Sequence, residues 1–75
     1  MINLERNNDA LVKIAAKLRI LRRNAGLTQK AVAQDTGLNI GCIEAAKLNF
    51  NVTTLKRLCD YYKIDFNEFF KDIDL

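Results

Sequence analysis

Three observations predict an all-α chain of five short helices. The 75 residues include no proline and three glycines, so the turn chemistry of a β-rich fold is missing. Apolar residues recur at three- and four-residue steps, the period of a helix with one buried face. Residues suited to capping or terminating a helix separate these stretches.

The first helix is predicted over roughly Asn8 to Asn24. Leu11, Ile14, Ala15, Leu18, Leu21 and Ala25 keep helical spacing, and Lys13, Lys17, Arg19, Arg22 and Arg23 occupy the other face. Gly26 ends it, because glycine reaches left-handed angles at little cost. Thr28 caps a second helix running through Asp35, with Ala31 and Val32 on its apolar side. Gly37 supplies the next turn, Leu38 points to the core, and Asn39 caps a third helix. Asn51 or Thr53 opens a fourth, whose Leu55, Leu58, Cys59 and Tyr62 share one side. Asp65 and Glu68 read as a capping box for the fifth, with Ile64 and Phe69 as its hydrophobic staple. Phe66, Phe69 and Phe70 then make an aromatic-rich terminal helix.

A composition of 49% hydrophobic and 28% charged residues is that of a globular domain, too apolar for disorder. The length suits one domain, residues 1–75. A chain of this size buries about 60% of its unfolded surface, which leaves stability marginal without self-association. Apolar runs are too short to span a membrane, and the polar opening MINLERNNDA is unlike a signal peptide. A cytoplasmic location is expected. Cys42 and Cys59 lack metal-site spacing and have no histidine to join, so both are expected to be buried, inert thiols. Without histidine or serine, a phosphate loop or a metal cluster, enzymatic chemistry is excluded, and no cofactor or metal is expected.

The net charge of +3 is unevenly spread. Residues 1–57 hold ten Lys/Arg against four Asp/Glu, whereas residues 58–75 hold two against five. A basic body with an acidic end suits a module that lays one face on phosphates.

LRILRRNAGLTQKAVAQDTG resembles the opening of the XRE/Cro-cI-type helix-turn-helix domain, the lambda-repressor-like bundle of phage repressors and small bacterial regulators. Leu18, Arg19, Arg22, Gly26 to Gln29, Ala33 and Gly37 carry that likeness. Downstream, IEAAKLNFNVTTLKRL resembles the family's IE stretch through Ile43, Glu44, Lys47, Asn49, Thr54 and Leu55, so the likeness covers residues 11–70. The resemblance places the motif at about 28–47 and implies DNA as partner.

Gly37 and Glu44 are seven residues apart, three fewer than in the family's common form. Either the third helix has lost about one turn, or Ile43 is the family's earlier isoleucine and the following loop is short. The first alignment keeps Glu44, Lys47, Asn49 and Leu55 in register and is preferred; by the resemblance it implies an Arg22–Glu44 salt bridge. Ala46 stands where the family has glycine, and Phe50 where it has proline.

Thr28, Gln29 and Lys30 at the start of the second helix are candidate DNA-binding residues, with Gln29 and its neighbour Lys30 suited to a phosphate. The resemblance adds Lys47 and Asn49 as backbone contacts, and Arg23 is able to reach a flanking phosphate. At the start of the second helix, the Gln29 backbone N–H and side-chain amide are both suited to an anion. Base readout is less well supplied, because Asn39 is the one amide in the third helix region, with Gln34 and Thr36 at its edge. Gly41 allows close backbone approach at a helix-propensity cost of about 1 kcal/mol. Ile40 and Cys42 suit thymine methyls and the core equally. The expected function is a sequence-specific regulator, a repressor in type, binding a palindromic operator as a homodimer. Residues 64–75, with Phe66, Phe69, Phe70 and Leu75, are the candidate dimer segment. The rival reading is a protein-interaction module or antitoxin-like subunit that kept the fold and lost DNA readout. No small-molecule ligand or membrane partner is expected.

Overall fold

The computed structural model describes residues 4–47 and 51–73, with side chains from residue 9 onward. These residues form five helices and no strand: α1 (Leu4–Asn24), α2 (Gln29–Thr36), α3 (Ile40–Glu44), α4 (Val52–Tyr61) and α5 (Phe66–Lys71). α1 begins about a turn before the predicted Asn8, and α2 reaches Thr36, one residue further than predicted.

Local chemistry sets most boundaries. After α1, the Leu27 N–H reaches the Arg22 carbonyl and the Gly26 N–H reaches that of Arg23, with Gly26 at φ 73°. This pairing satisfies carbonyls the helix leaves over and reverses the chain. Ala25 sits in that reversal and is exposed, not on the apolar face where its spacing placed it. Thr28 caps α2 by accepting the Ala31 N–H at 3.0 Å, and Gly37, at φ 74°, ends it. Asn39 caps α3 through the Cys42 N–H, and Asn51 caps α4 through the Thr54 N–H. Of the two candidate starts for α4, Asn51 is therefore the cap.

The Asp65–Glu68 capping box does not form. Asp65 holds the N-cap position, but its side chain accepts no cap hydrogen bond. The Phe69 N–H bonds to the Asp65 carbonyl, and Phe69 is fully buried with Ile64 packed against the same core. Burial of the apolar staple holds this helix start, so both carboxylates remain in solvent.

Leu18 of α1, Val32 of α2, Ile40 and Ile43 of α3, Leu55, Leu58 and Cys59 of α4, and Phe69 of α5 make one core. Every helix thus contributes at least one buried side chain. Phe66 and Phe70 are half-buried and meet edge to face, with ring centroids 5.2 Å apart. The aromatic helix is accordingly mostly consumed by the core, and among the described residues the large exposed apolar side chains are Val12, Ile20 and Val52. Cys59 is buried as expected, whereas Cys42 is half-exposed because α3 turns it to the rim of the core. Among the described residues, no helix is long and apolar enough to cross a membrane.

Candidate nucleic-acid interface

α3 is only five residues long, too short to persist on local hydrogen bonds, so its position must come from tertiary contacts. Ile40 and Ile43 supply apolar anchors, at 2% and 3% exposure. Glu44 supplies a polar anchor. Its side chain is 1% exposed, and its carboxylate accepts Arg22 Nε at 2.7 Å and Arg22 NH2 at 3.1 Å. Arg22, paired with Glu44 in the preferred alignment, is therefore buried and not on the solvated face of α1. Its NH1 also donates to the Leu27 carbonyl at 2.8 Å, which ties the α1–α2 turn into the same group.

Two further side chains converge on Glu44. Gln29 Nε2 donates to Oε1 at 3.1 Å, and Arg19 lies 3.9 Å from the same oxygen. Arg19 also donates to the Glu44 backbone carbonyl at 3.3 Å, closing the end of α3. The buried carboxylate is thus met by charge-assisted hydrogen bonds, the arrangement a desolvated ion pair requires. The Glu44 hydrogen bond holds the Arg22 guanidinium still more firmly protonated than usual. Burial, with a smaller contribution from Glu44, pushes the nearby Tyr62 hydroxyl up to about 12.

The outer face carries a different set. Gln29, Lys30, Asn39, Gly41 and Lys47 are all exposed. A Cβ placed on Gly41 would lie 3.6 Å from Gln29 Oε1 and 3.9 Å from Asn39 Oδ1, so the start of α2 and the front of α3 share one surface. Thr28 Oγ1 is occupied as the α2 cap. One N–H of the Gln29 amide, assigned wholly to phosphate by sequence, goes to Glu44. Ile40 lies in the core, which removes it from the groups able to touch a partner, while Cys42 stays half-exposed beside Gly41. Thr36 is also spent, since Oγ1 donates to the Val32 carbonyl and accepts the Leu38 N–H. Gln34 remains exposed. Asn49, Phe50 and Leu75 lie outside the described residues.

Sequence reasoning missed three supports of this face. Arg19 stands three residues before Arg22, a spacing that puts both on one side of α1 and was the available signal. Arg57 of α4 donates to the Thr36 carbonyl at 2.7 Å, and Tyr61 donates to Asp35. Together they fasten the end of α2, and neither pairing has a signature in local spacing.

Comparison with known proteins gives one positive result: the sequence profile of a family described as helix-turn-helix domain matches residues 13–68. No curated protein and no solved structure matches the chain.

Proposed function

The chain belongs to the helix-turn-helix domain family, one of the XRE-like group, and from that premise we propose that it is a DNA-binding transcriptional regulator that sets α2 and α3 against the major groove. One observation carries the reading: Gln29 and Asn39 flank Gly41 on a single exposed surface, with Lys30 and Lys47 also exposed at either end of the motif. Phosphate contacts come from Lys30, Lys47 and the Gln29 backbone N–H in the first turn of α2, where amide dipoles favour an anion. Arg23, exposed near the end of α1, extends the basic track. Asn39 and Gly41 face the bases, with Cys42 at the edge. Asn49 belongs to the proposed phosphate set by its match to the family pattern alone.

The same reading places the protein in the cytoplasm, as one domain over residues 1–75, acting as a repressor on a palindromic operator. Two copies would present their motifs about 34 Å apart, one turn of DNA. We assign the dimer contact to residues 64–75, where Phe66, Phe70 and Ile73 are only half-buried. Beside them lies a shallow groove of about 260 Å³ lined by Lys13, Ala16, Lys17, Ile20, Asp72 and Ile73. Light scattering at tens of micromolar checks the dimer; a monomer there removes it.

Fluorescence anisotropy with mixed duplex DNA across a salt series tests the reading. Each neutralised phosphate contributes about −0.9 to the log–log slope, so a slope several times that is expected. Absence of binding at low salt would sink it. The rival, a protein-interaction module, draws its support from α3, which buries Ile40, Ile43 and Glu44 out of five residues. That outcome would leave this rival, and a partner recovered from native extract would then support it.

A further inference from the structure

The two carboxamides beside Gly41 are each held in one orientation by a neighbour that can bond only one way. Gln29 gives Nε2 to the Glu44 carboxylate, and a carboxylate engaged by Arg22 can only accept. Turning that amide over would oppose two oxygens, so Oε1 is the end left outward. Asn39 is fixed in the opposite sense. Its Oδ1 accepts the Cys42 N–H at 3.2 Å, and a backbone N–H can only donate, so Nδ2 is the end left over. Neither Gln29 Oε1 nor Asn39 Nδ2 has a hydrogen-bond partner among the described residues. Both side chains are exposed, and both lie within 4 Å of the point where a Cβ on Gly41 would stand.

We propose that Gln29 and Asn39 jointly read one adenine, Oε1 of Gln29 accepting from the N6 amino group and Nδ2 of Asn39 donating to N7. The proposal rests on the DNA-binding reading above and names the base that the surface selects. Adenine is the base whose major-groove edge sets an acceptor beside a donor. Guanine presents two acceptors, and its O6 would face Gln29 Oε1 with no hydrogen between them. Cytosine offers a donor alone, and thymine an acceptor beside a methyl group. In many DNA-binding proteins one Asn or Gln supplies both atoms of such a contact. Here Gln29 and Asn39 have each spent one end internally, so the outward ends come from two residues. Glycine at 41 keeps the space between them open for the base edge.

The experiment begins with selection of duplexes from a random library by the intact protein. Each selected adenine is then replaced in turn by 7-deazaadenine, which carries C–H in place of N7. The intact protein should lose about tenfold in affinity at one such position. Asn39→Ser keeps an N-cap of equal quality and lacks Nδ2, so it should bind more weakly and show no further loss on the deaza substitution. Three results overturn the proposal alone: no adenine preference, an equal deaza penalty in both proteins, or a uniform weakening of Asn39→Ser on every sequence, which marks a phosphate contact. Failure of the intact protein to bind any duplex at low salt overturns the DNA-binding reading as well.

Discussion

α2 and α3 are capped alike. Thr28 accepts the Ala31 N–H as Asn39 accepts the Cys42 N–H, and a residue in the left-handed region follows each helix, Gly37 at φ 74° and Ala46 at φ 58°. They differ in what they bury. Of eight residues in α2 only Val32 is buried, whereas α3 buries Ile40, Ile43 and Glu44 out of five. α2 therefore offers most of its length to solvent, while α3 is mainly an anchor with one exposed glycine at its front. A helix this short survives because the core and Arg22 hold it, and the cost falls on the number of side chains left to face a partner.

The sharpest way to break that contrast is to remove the anchor. Arg22→Ala leaves Glu44, with its side chain 1% exposed, without both of its Arg22 hydrogen bonds, including the shortest at 2.7 Å. Breaking a buried pair from one side typically costs about 3–5 kcal/mol, a large fraction of the stability of a domain this small. Urea denaturation should show a loss of that order, and the packing of α3 should fail before that of α2. A change under about 1 kcal/mol would mean that Ile40, Ile43 and the contacts of Arg19 and Gln29 with Glu44 hold α3 without Arg22.

Alkaline pH probes the same anchor next. Tyr61 and Tyr62 are adjacent and both half-buried, yet Tyr61 donates to Asp35 on α2 while Tyr62 lies near Glu44 of α3. Burial raises Tyr62 from 10.0 to about 12, so the folded state keeps this proton where the unfolded chain would release it. The resulting stability is complete below pH 10 and is lost as pH rises toward about 12. Cys59, raised above 9.0 mainly by burial, acts with the same sign from slightly lower pH. Tyr62→Phe should flatten the fall in melting temperature between pH 10 and 12. A fall as steep as in the parent would assign the alkaline loss elsewhere.

The helix ends give a paired test of similar chemistry on both sides. Gly37 takes its positive φ without strain, whereas Ala46 takes nearly the same φ with a Cβ in place. Left-handed geometry costs an ordinary residue about 1–2 kcal/mol. Gly37→Ala should destabilise by about that amount, since open space around it leaves the backbone angle as the only penalty. Ala46→Gly should stabilise by roughly 1 kcal/mol, visible as a melting temperature about 4–8 °C higher. If both substitutions shift stability the same way, the turn after α3 is not governed by its φ.

These contrasts mark where the sequence was readable. Caps and turns were legible because Thr28, Asn39, Gly26 and Gly37 act on neighbours within a few residues. The core stripes of α1 and α4 were legible because burial follows spacing. The capping box was misread because Asp65 and Glu68 carry the right letters while Phe69 burial already fixes that helix start. The outward surface was least legible. Which end of the Gln29 amide faces a partner depends on Glu44, fifteen residues away, and spacing does not encode that contact. Nor could residue types alone decide whether Ile40 joins the core or the interface, since either place suits isoleucine.

The smallest effect on stability should separate folding from recognition most cleanly. Gly41 is exposed in the first turn of α3, and a methyl there meets Gln29 Oε1 at 3.6 Å and Asn39 Oδ1 at 3.9 Å, both ordinary contacts. Gly41→Ala therefore strains nothing and should stabilise by at most about 1 kcal/mol through helix propensity. The same methyl touches both amides, on the surface where the proposed base edge would approach. Affinity for a selected duplex should fall about tenfold while the melting temperature holds or rises slightly, since a lost base contact is worth about 1–3 kcal/mol. The matching change on α2, Lys30→Ala, should weaken all duplexes evenly and reduce the salt slope by about one phosphate. If Gly41→Ala binds as well as the parent, the front of α3 does not approach the bases, and recognition must lie along α2 and its basic neighbours.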